Sequence, residues 1–250
     1  MTAGKPRVVA IIPARLESSR LPRKALADIC GLPMIVHVYR RCLRASTLDD
    51  VIVATDSREI HDTVAAAGGK AVMTSRRHQN GTERIAEVAA ALDCEIVVNV
   101  QGDEALVMPK HIDAAVGALL ADPALNVAIL VNPFRKHGSP SDIKAVLTDA
   151  GDVLYLSRSD IPSNARTPEP EMLKAYHVVP FRRPFLLQYV AWPPGTLERI
   201  EFNEYLRILE RGHRIRAVRV ESSAVSVDTP HDLEWVRAQM TSDPLFAAYR

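Results

Sequence analysis

Cysteine, net charge and long apolar runs are all scarce in this chain. Its 250 residues include three cysteines, Cys30, Cys42 and Cys94, and none forms a close pair. That fits reduced thiols in a cytoplasm better than a disulfide framework or a zinc site. The formal net charge is +1, so no global field draws in nucleic acid or a membrane surface. Anion binding must be local. No apolar stretch approaches the roughly 20 residues that span a bilayer. The run Val8–Ile12 is too short for a signal-peptide core and charge follows it at once.

What is present suits a soluble enzyme-sized chain. Apolar residues make up 47% and charged residues 24%, enough for a sizeable core. Only seven of the 31 basic residues are lysine, an arginine bias that, with abundant alanine, suggests a GC-rich genome. The most informative junction is where Val8-Val9-Ala10-Ile11-Ile12 empties into Pro13–Lys24, a loop carrying Arg15, Arg20, Arg23 and Lys24. Four cations so close repel one another unless an anion sits among them. Loops at the carboxyl ends of parallel strands are where open α/β sheets hold ligands. A polyphosphate is the natural candidate, and a solvated basic loop is the plainer alternative.

Strands are predicted at 8–12, 51–54, 70–73, 95–99 and 127–131, each short and rich in β-branched residues. Helices are predicted between them at 34–45, 57–67, 82–92 and 109–121. Ser57 and Thr82 serve as N-caps and Gly68-Gly69 as a stop. This alternation predicts an α/β fold, a largely parallel sheet with helices on both faces. From about 132 the pattern changes. Short strands are expected at 145–147, 153–156 and 175–181, then helices at 197–210 and 231–240 around a strand at 214–220. We expect one α/β domain over 1–250, with 132–190 as a small β-rich subdomain.

Three further constellations carry chemistry. His78-Gln79-Asn80-Gly81-Thr82-Glu83-Arg84 joins a turn to a helix start. Its plainer reading is a helix entry alone. Asn99-Val100-Gln101-Gly102-Asp103-Glu104 leaves a buried strand and sets Asp103 where a hard cation could bind, although a turn aspartate also fits. Val225-Ser226-Val227-Asp228-Thr229-Pro230 repeats the strand-then-Asp pattern ahead of a helix start.

Together these runs resemble the cytidylyltransferases that make CMP-activated acids, most closely those acting on 3-deoxy-manno-octulosonate (Kdo). The resemblance covers nearly the whole chain. It includes IIPAR..S.RLP.K at 11–24, G.PMIVHV at 31–38, IVATD at 52–56, HQ.GTER at 78–84 and VNVQGDE at 98–104. Further on it includes LYLSR.DIP at 154–162, LE.IE at 197–201 and VDTP.DLE.VR at 227–237. It implies a three-layer αβα nucleotidyltransferase fold of the nucleotide-diphospho-sugar transferase kind. Arg15 and Lys24 then grip the CTP phosphates, with Ala14, Arg20 and Arg23 beside them. Asn80, Gly81, Thr82 and Gln101 meet cytosine and ribose, and Asp103 and Asp228 hold Mg2+. Arg15, Lys24, Asp103 and Asp228 are the expected catalytic set. The chemistry is in-line attack of an acceptor oxygen on the α-phosphorus with loss of pyrophosphate, which needs charge neutralisation and positioning. The implied partners are CTP, a small acidic acceptor and a second copy in a homodimer, with 132–190 serving acceptor binding and dimerisation. A nucleotide-binding module without turnover is the alternative of another class, and Asp103, Asp228 and Lys24 argue against it.

The chain also departs from the family pattern. Arg23 stands for a glycine, Asn80 for a serine and Ala105 for a proline. The sugar-acid stretch His-Leu-Gly-Ile-Tyr-Gly-Tyr becomes Ala175-Tyr176-His177-Val178-Val179-Pro180-Phe181, and a Glu-Gln pair becomes Glu204-Tyr205. Gln101, Arg158, His177, Glu204 and Tyr205 are the acceptor candidates, with Lys174 a further cation. Losing hydroxyl-reading groups disfavours a hydroxyl-rich substrate. The sequence therefore leans to a compact phosphonate acceptor such as phosphonoformate, with Kdo as the alternative.

Overall fold

Strand β1, Val8–Ala14, is buried except at the half-buried Pro13, with Val8 to Ile12 fully inaccessible. It forms the middle of a parallel sheet because both of its faces can be covered by apolar surface. The chain is described here by a computed structural model covering residues 6–18, 20–166 and 170–250. It divides into two compact units, one of residues 1–113 with 224–250 and one of 114–223. The second is wider than the expected 132–190, because it also takes in strand and helix segments on either side.

In the first unit, a 3-10 turn at Lys24–Leu26 leads to the small hairpin β2 (Asp28–Ile29) and β3 (Leu32–Pro33). Then follow α1 (Met34–Cys42), β4 (Asp50–Thr55), α2 (Arg58–Ala66), β5 (Ala71–Met73), α3 (Gly81–Ala90) and β6 (Ile96–Val100). β1 pairs in parallel with β4 and β6, and β4 with β5, giving the order β6-β1-β4-β5. The expected strand and helix alternation is present, with ends shifted by one to three residues. Ser57 caps α2 as expected, accepting from the Ile60 amide at 3.4 Å. Thr82 does not cap α3. Asn80 does, its Oδ1 accepting from the Glu83 amide at 2.8 Å, so the helix starts at Gly81. Helix α4, Pro109–Ala121, leads out of this unit.

The second unit holds β7 (Ala128–Phe134), β8 (Lys144–Leu147), β9 (Val153–Ser157), β10 (Met172–Tyr176) and β11 (Val178–Arg182). Helices α5 (Arg183–Val190), α6 (Thr196–Glu201) and α7 (Leu206–Glu210) and strand β12 (Arg216–Arg219) complete it. Its sheet runs β12-β7-β10-β8-β9, with β12 parallel to β7 and the other pairs antiparallel. Two expectations fail here. The single strand at 175–181 divides at His177, where the chain leaves the β7 ladder. The helix at 197–210 breaks at Phe202, which takes a left-handed φ of 49°, while Asn203 Oδ1 accepts from the Tyr205 amide at 3.1 Å. An Asx turn of this kind competes with helix hydrogen bonds.

The chain then returns to the first unit with α8 (Pro230–Thr241) and α9 (Pro244–Ala247). Val227, Leu233, Val236 and Met240 pack with Ile29, Met34 and Ala105 in one apolar cluster. Burial of about 25 cal/mol per Å2 of apolar surface fixes the approach of α8. That packing sets where Asp228 sits.

Candidate active site

The carboxyl ends of β1 and β6 and the start of α3 enclose a cleft of about 420 Å3 within the first unit. Its walls include Ala14, Arg15, Arg20, Lys24, Asn80 and Gly81, and also Gln101, Asp103 and Asp228. The size and polar lining suit a nucleotide. β1 delivers Arg15 one residue past its end, exposed to the cleft. β6 delivers Gln101, whose Nε2 donates to Asn99 Oδ1 at 3.2 Å, and Asn99 Nδ2 donates to Thr82 Oγ1 at 3.4 Å. This side-chain chain orients the Gln101 amide.

Asp103 and Asp228 are 125 positions apart in sequence but adjacent in space. The Val227 amide donates to the Asp103 carbonyl at 3.0 Å and ties the two segments together. Asp232 fixes the other side of Asp228: its carboxylate accepts from the Asp228 and Thr229 amides at 3.1 and 2.8 Å, and Thr229 Oγ1 caps α8. Lys24 Nζ lies between the carboxylates, 2.6 Å from Asp103 Oδ2 and 3.1 Å from Asp228 Oδ1. Arg20 reaches the same Asp228 oxygen at 3.0 Å. Burial pulls the Lys24 ammonium pKa down, but the charge and hydrogen bond of Asp103, and then those of Asp228, outweigh burial and raise it above 10.5. Lys24 is therefore a full cation at neutral pH.

Two expected nucleotide residues lie elsewhere. Thr82 is fully buried beneath the cleft and acts through Asn99. Arg23 is aimed at Glu59 on α2 rather than into the cleft, from a left-handed backbone with φ 58°. A non-glycine residue there is uncommon, and this is where the family pattern has glycine. The cleft is also lined by residues to which the sequence reading gave no site role, among them Ala25, Met34 and Arg84. Arg84 Nη2 donates to Asp56 Oδ2 at 2.8 Å and Nη1 to Thr74, pinning α3 to the end of β4. The runs holding Arg84 and Asp56 stood out in the sequence, but nothing there linked one to the other.

The acceptor candidates of the second unit are engaged locally. Arg158 donates to the carbonyls of Glu201 (2.8 Å), Pro140 (2.8 Å) and Phe202 (3.0 Å), which makes it a cross-tie between loops. His177 stacks on Tyr205 with ring centroids 5.8 Å apart. Burial first, then the charges of Lys174 and Arg158, lower its pKa to about 4, so it carries no charge at neutral pH. Tyr205 is 2% exposed, and Glu204 accepts from Tyr189 Oη through its carbonyl at 2.9 Å. Lys174 pairs with Asp142 at 2.7 Å.

No cluster of three or more His, Cys, Asp or Glu with metal-binding geometry occurs among the described residues. The two carboxylates still fit Mg2+, which binds through one or two carboxylates and completes its shell with water and substrate phosphate.

Strand-end cations facing a carboxylate pair, on a parallel sheet with helices packed around it, define a nucleotidyltransferase. The comparisons give the family. Residues 9–215 match the family model described as cytidylyltransferase, and the chain belongs to that family as a CTP-dependent nucleotidyltransferase. It is 43% identical to a 3-deoxy-manno-octulosonate cytidylyltransferase of Geobacter metallireducens, covering 92% of this chain and 96% of the relative. It is 44% identical to that of Trichlorobacter lovleyi, covering 94% and 98%. Among solved structures, a CMP:2-keto-3-deoxy-manno-octonic acid synthetase complexed with CTP superposes with a TM-score of 0.91. Its identity is 40%, over 94% of this chain and 98% of that one. A 4-diphosphocytidyl-2C-methyl-D-erythritol synthase from Anaerococcus prevotii shares the fold, with a TM-score of 0.65 at 15% identity.

Proposed function

We propose that this enzyme transfers CMP from CTP to 3-deoxy-manno-octulosonate, releasing pyrophosphate. The observation that carries the acceptor is the similarity to Kdo cytidylyltransferases over more than nine-tenths of the chain. It outweighs the lean to phosphonoformate drawn from the altered stretch 175–181. The acceptor hydroxyl oxygen bonds to the α-phosphorus of CTP and the bond from that phosphorus to the bridging oxygen of the β-phosphate breaks. The hydroxyl proton passes to solvent.

Arg15, Arg20 and Lys24 bind and orient the triphosphate through charge-assisted hydrogen bonds. Asn80, Gly81 and Gln101 receive the nucleoside. Asp103 and Asp228 would hold Mg2+, which supplies Lewis-acid polarisation of the phosphate oxygens when bound. Positioning and charge neutralisation of this kind account for most of the rate in phosphoryl transfers.

One observation supports a second reading, a smaller phosphonate acceptor. Where the resemblance places the histidine and tyrosine that read the sugar acid, this chain has Ala175 and Val179, 1% and 0% exposed. Tyr205 replaces a glutamine and is buried too. Pyrophosphate release from CTP, measured side by side with Kdo and phosphonoformate at matched concentrations, tests both readings. Kdo turnover exceeding phosphonoformate turnover is the expected result. Robust phosphonoformate turnover with none for Kdo replaces the first reading by the second.

A further inference from the structure

Lys24 Nζ stands within hydrogen-bond distance of one oxygen from each of Asp103 and Asp228, at 2.6 and 3.1 Å. Arg20 shares the Asp228 oxygen at 3.0 Å. Two cations and two carboxylates make a locally neutral quartet. A divalent ion placed against the same two oxygens would meet an ammonium already there, and repulsion between cations a few ångströms apart is severe at reduced dielectric. One of them must leave. Lys24 is the group that can: its charge rides on a flexible four-carbon stem. It sits in a three-residue 3-10 turn, and Arg15 beside it lines the same cleft.

We propose that Lys24 alternates between the Asp103–Asp228 carboxylates and the phosphates of the nucleotide, so that nucleotide and divalent cation bind as a linked pair. The inference rests on the reading that these two carboxylates are the cation's ligands. A polyphosphate draws Lys24 and Arg20 toward itself, which leaves both carboxylates without neutralisation and raises their attraction for a divalent ion. A bound divalent ion in turn frees Lys24 for phosphate. The coupling is reciprocal by thermodynamic necessity. Lys24 is thus the carboxylates' counter-ion in one state and a phosphate ligand in the other.

Mn2+ binding followed by electron paramagnetic resonance tests this without turnover. The purified protein is titrated with Mn2+ alone and again with α,β-methylene-CTP, after subtracting the analogue's own Mn2+ binding. The wild type should bind Mn2+ at least tenfold more tightly with the analogue. Lys24→Gln should bind Mn2+ alone at least fivefold more tightly than wild type, and the analogue should add less. Unchanged Mn2+ affinity in Lys24→Gln with the analogue's gain intact overturns the proposal. If Lys24→Gln does not fold, Lys24→Met takes its place in the same two titrations, because the analogue's own phosphates can ligate Mn2+ and the wild type alone does not isolate Lys24. Asp103→Asn separates the two ideas. Mn2+ binding insensitive to Asp103→Asn in either background removes the carboxylate reading. Tight analogue-independent binding that Asp103→Asn abolishes keeps that reading and removes Lys24 exchange.

Discussion

A Cβ added to Gly102 would stand 2.8 Å from the carbonyl oxygen of Pro13. The turn that carries Gln101 and Asp103 thus lies directly on the end of β1, closer than any side chain permits. Gly102→Ala should push this turn outward and displace Asp103. The expected result is at least a tenfold fall in kcat/KM for CTP, with a stability loss of about 1–3 kcal/mol in urea denaturation. Wild-type kinetics in a folded Gly102→Ala enzyme would show that the close approach is unimportant.

Removing the Lys24 ammonium tests the phosphate grip. A charge-assisted hydrogen bond contributes about 1.5–3 kcal/mol, so Lys24→Ala should lower kcat/KM for CTP about tenfold or more. Steady-state assays with varied CTP read this directly, and an unaltered CTP dependence would make the loop a solvated surface.

Asp103→Asn removes a charge while keeping the shape. Activity should fall below about 1% of wild type with the fold intact by circular dichroism, a loss of roughly 3 kcal/mol in barrier terms. Near-normal rates at ordinary Mg2+ concentrations would remove Asp103 from the chemistry.

His177 makes a prediction about acid. Its pKa in the fold is about 4, below the ordinary 6.5, so the folded state favours the neutral ring. The unfolded chain takes up a proton first as pH drops. Its contribution is fully present above pH 6.5 and is lost progressively toward pH 4. Between pH 7 and pH 5 the loss is on the order of 1–2 kcal/mol. Denaturation midpoints for wild type and His177→Gln should converge as pH falls, and parallel profiles would contradict the assignment.

The parallel sheet was legible because strands such as Val8–Ile12 and Ile96–Val98 are short, apolar and separated by periodic helices. The cleft was legible because its cations and carboxylates follow those strands directly. What could not be read depends on tertiary contacts. The capping competition between Asn80 and Thr82 turns on Thr82 being drawn inward to Asn99. The break after Glu201 depends on the single Asn203 side-chain bond to the Tyr205 amide. The ties of Arg158 to three carbonyls join segments distant in sequence, so the sequence alone did not show that these donors are used within the fold.

The return of residues 224–250 to the first unit carries a consequence for biosynthesis. Asp103 leaves the ribosome early, but its partner Asp228 follows only after residues 114–223, a contiguous unit, have been made. At an elongation rate of about 5–20 residues per second those 110 residues take roughly 5–20 s. Through it the nascent first unit lacks the apolar cover that Val227, Leu233 and Val236 give to Ile29 and Met34. The intervening unit can fold meanwhile, so the order of emergence makes the carboxylate pair one of the last features of the molecule to assemble.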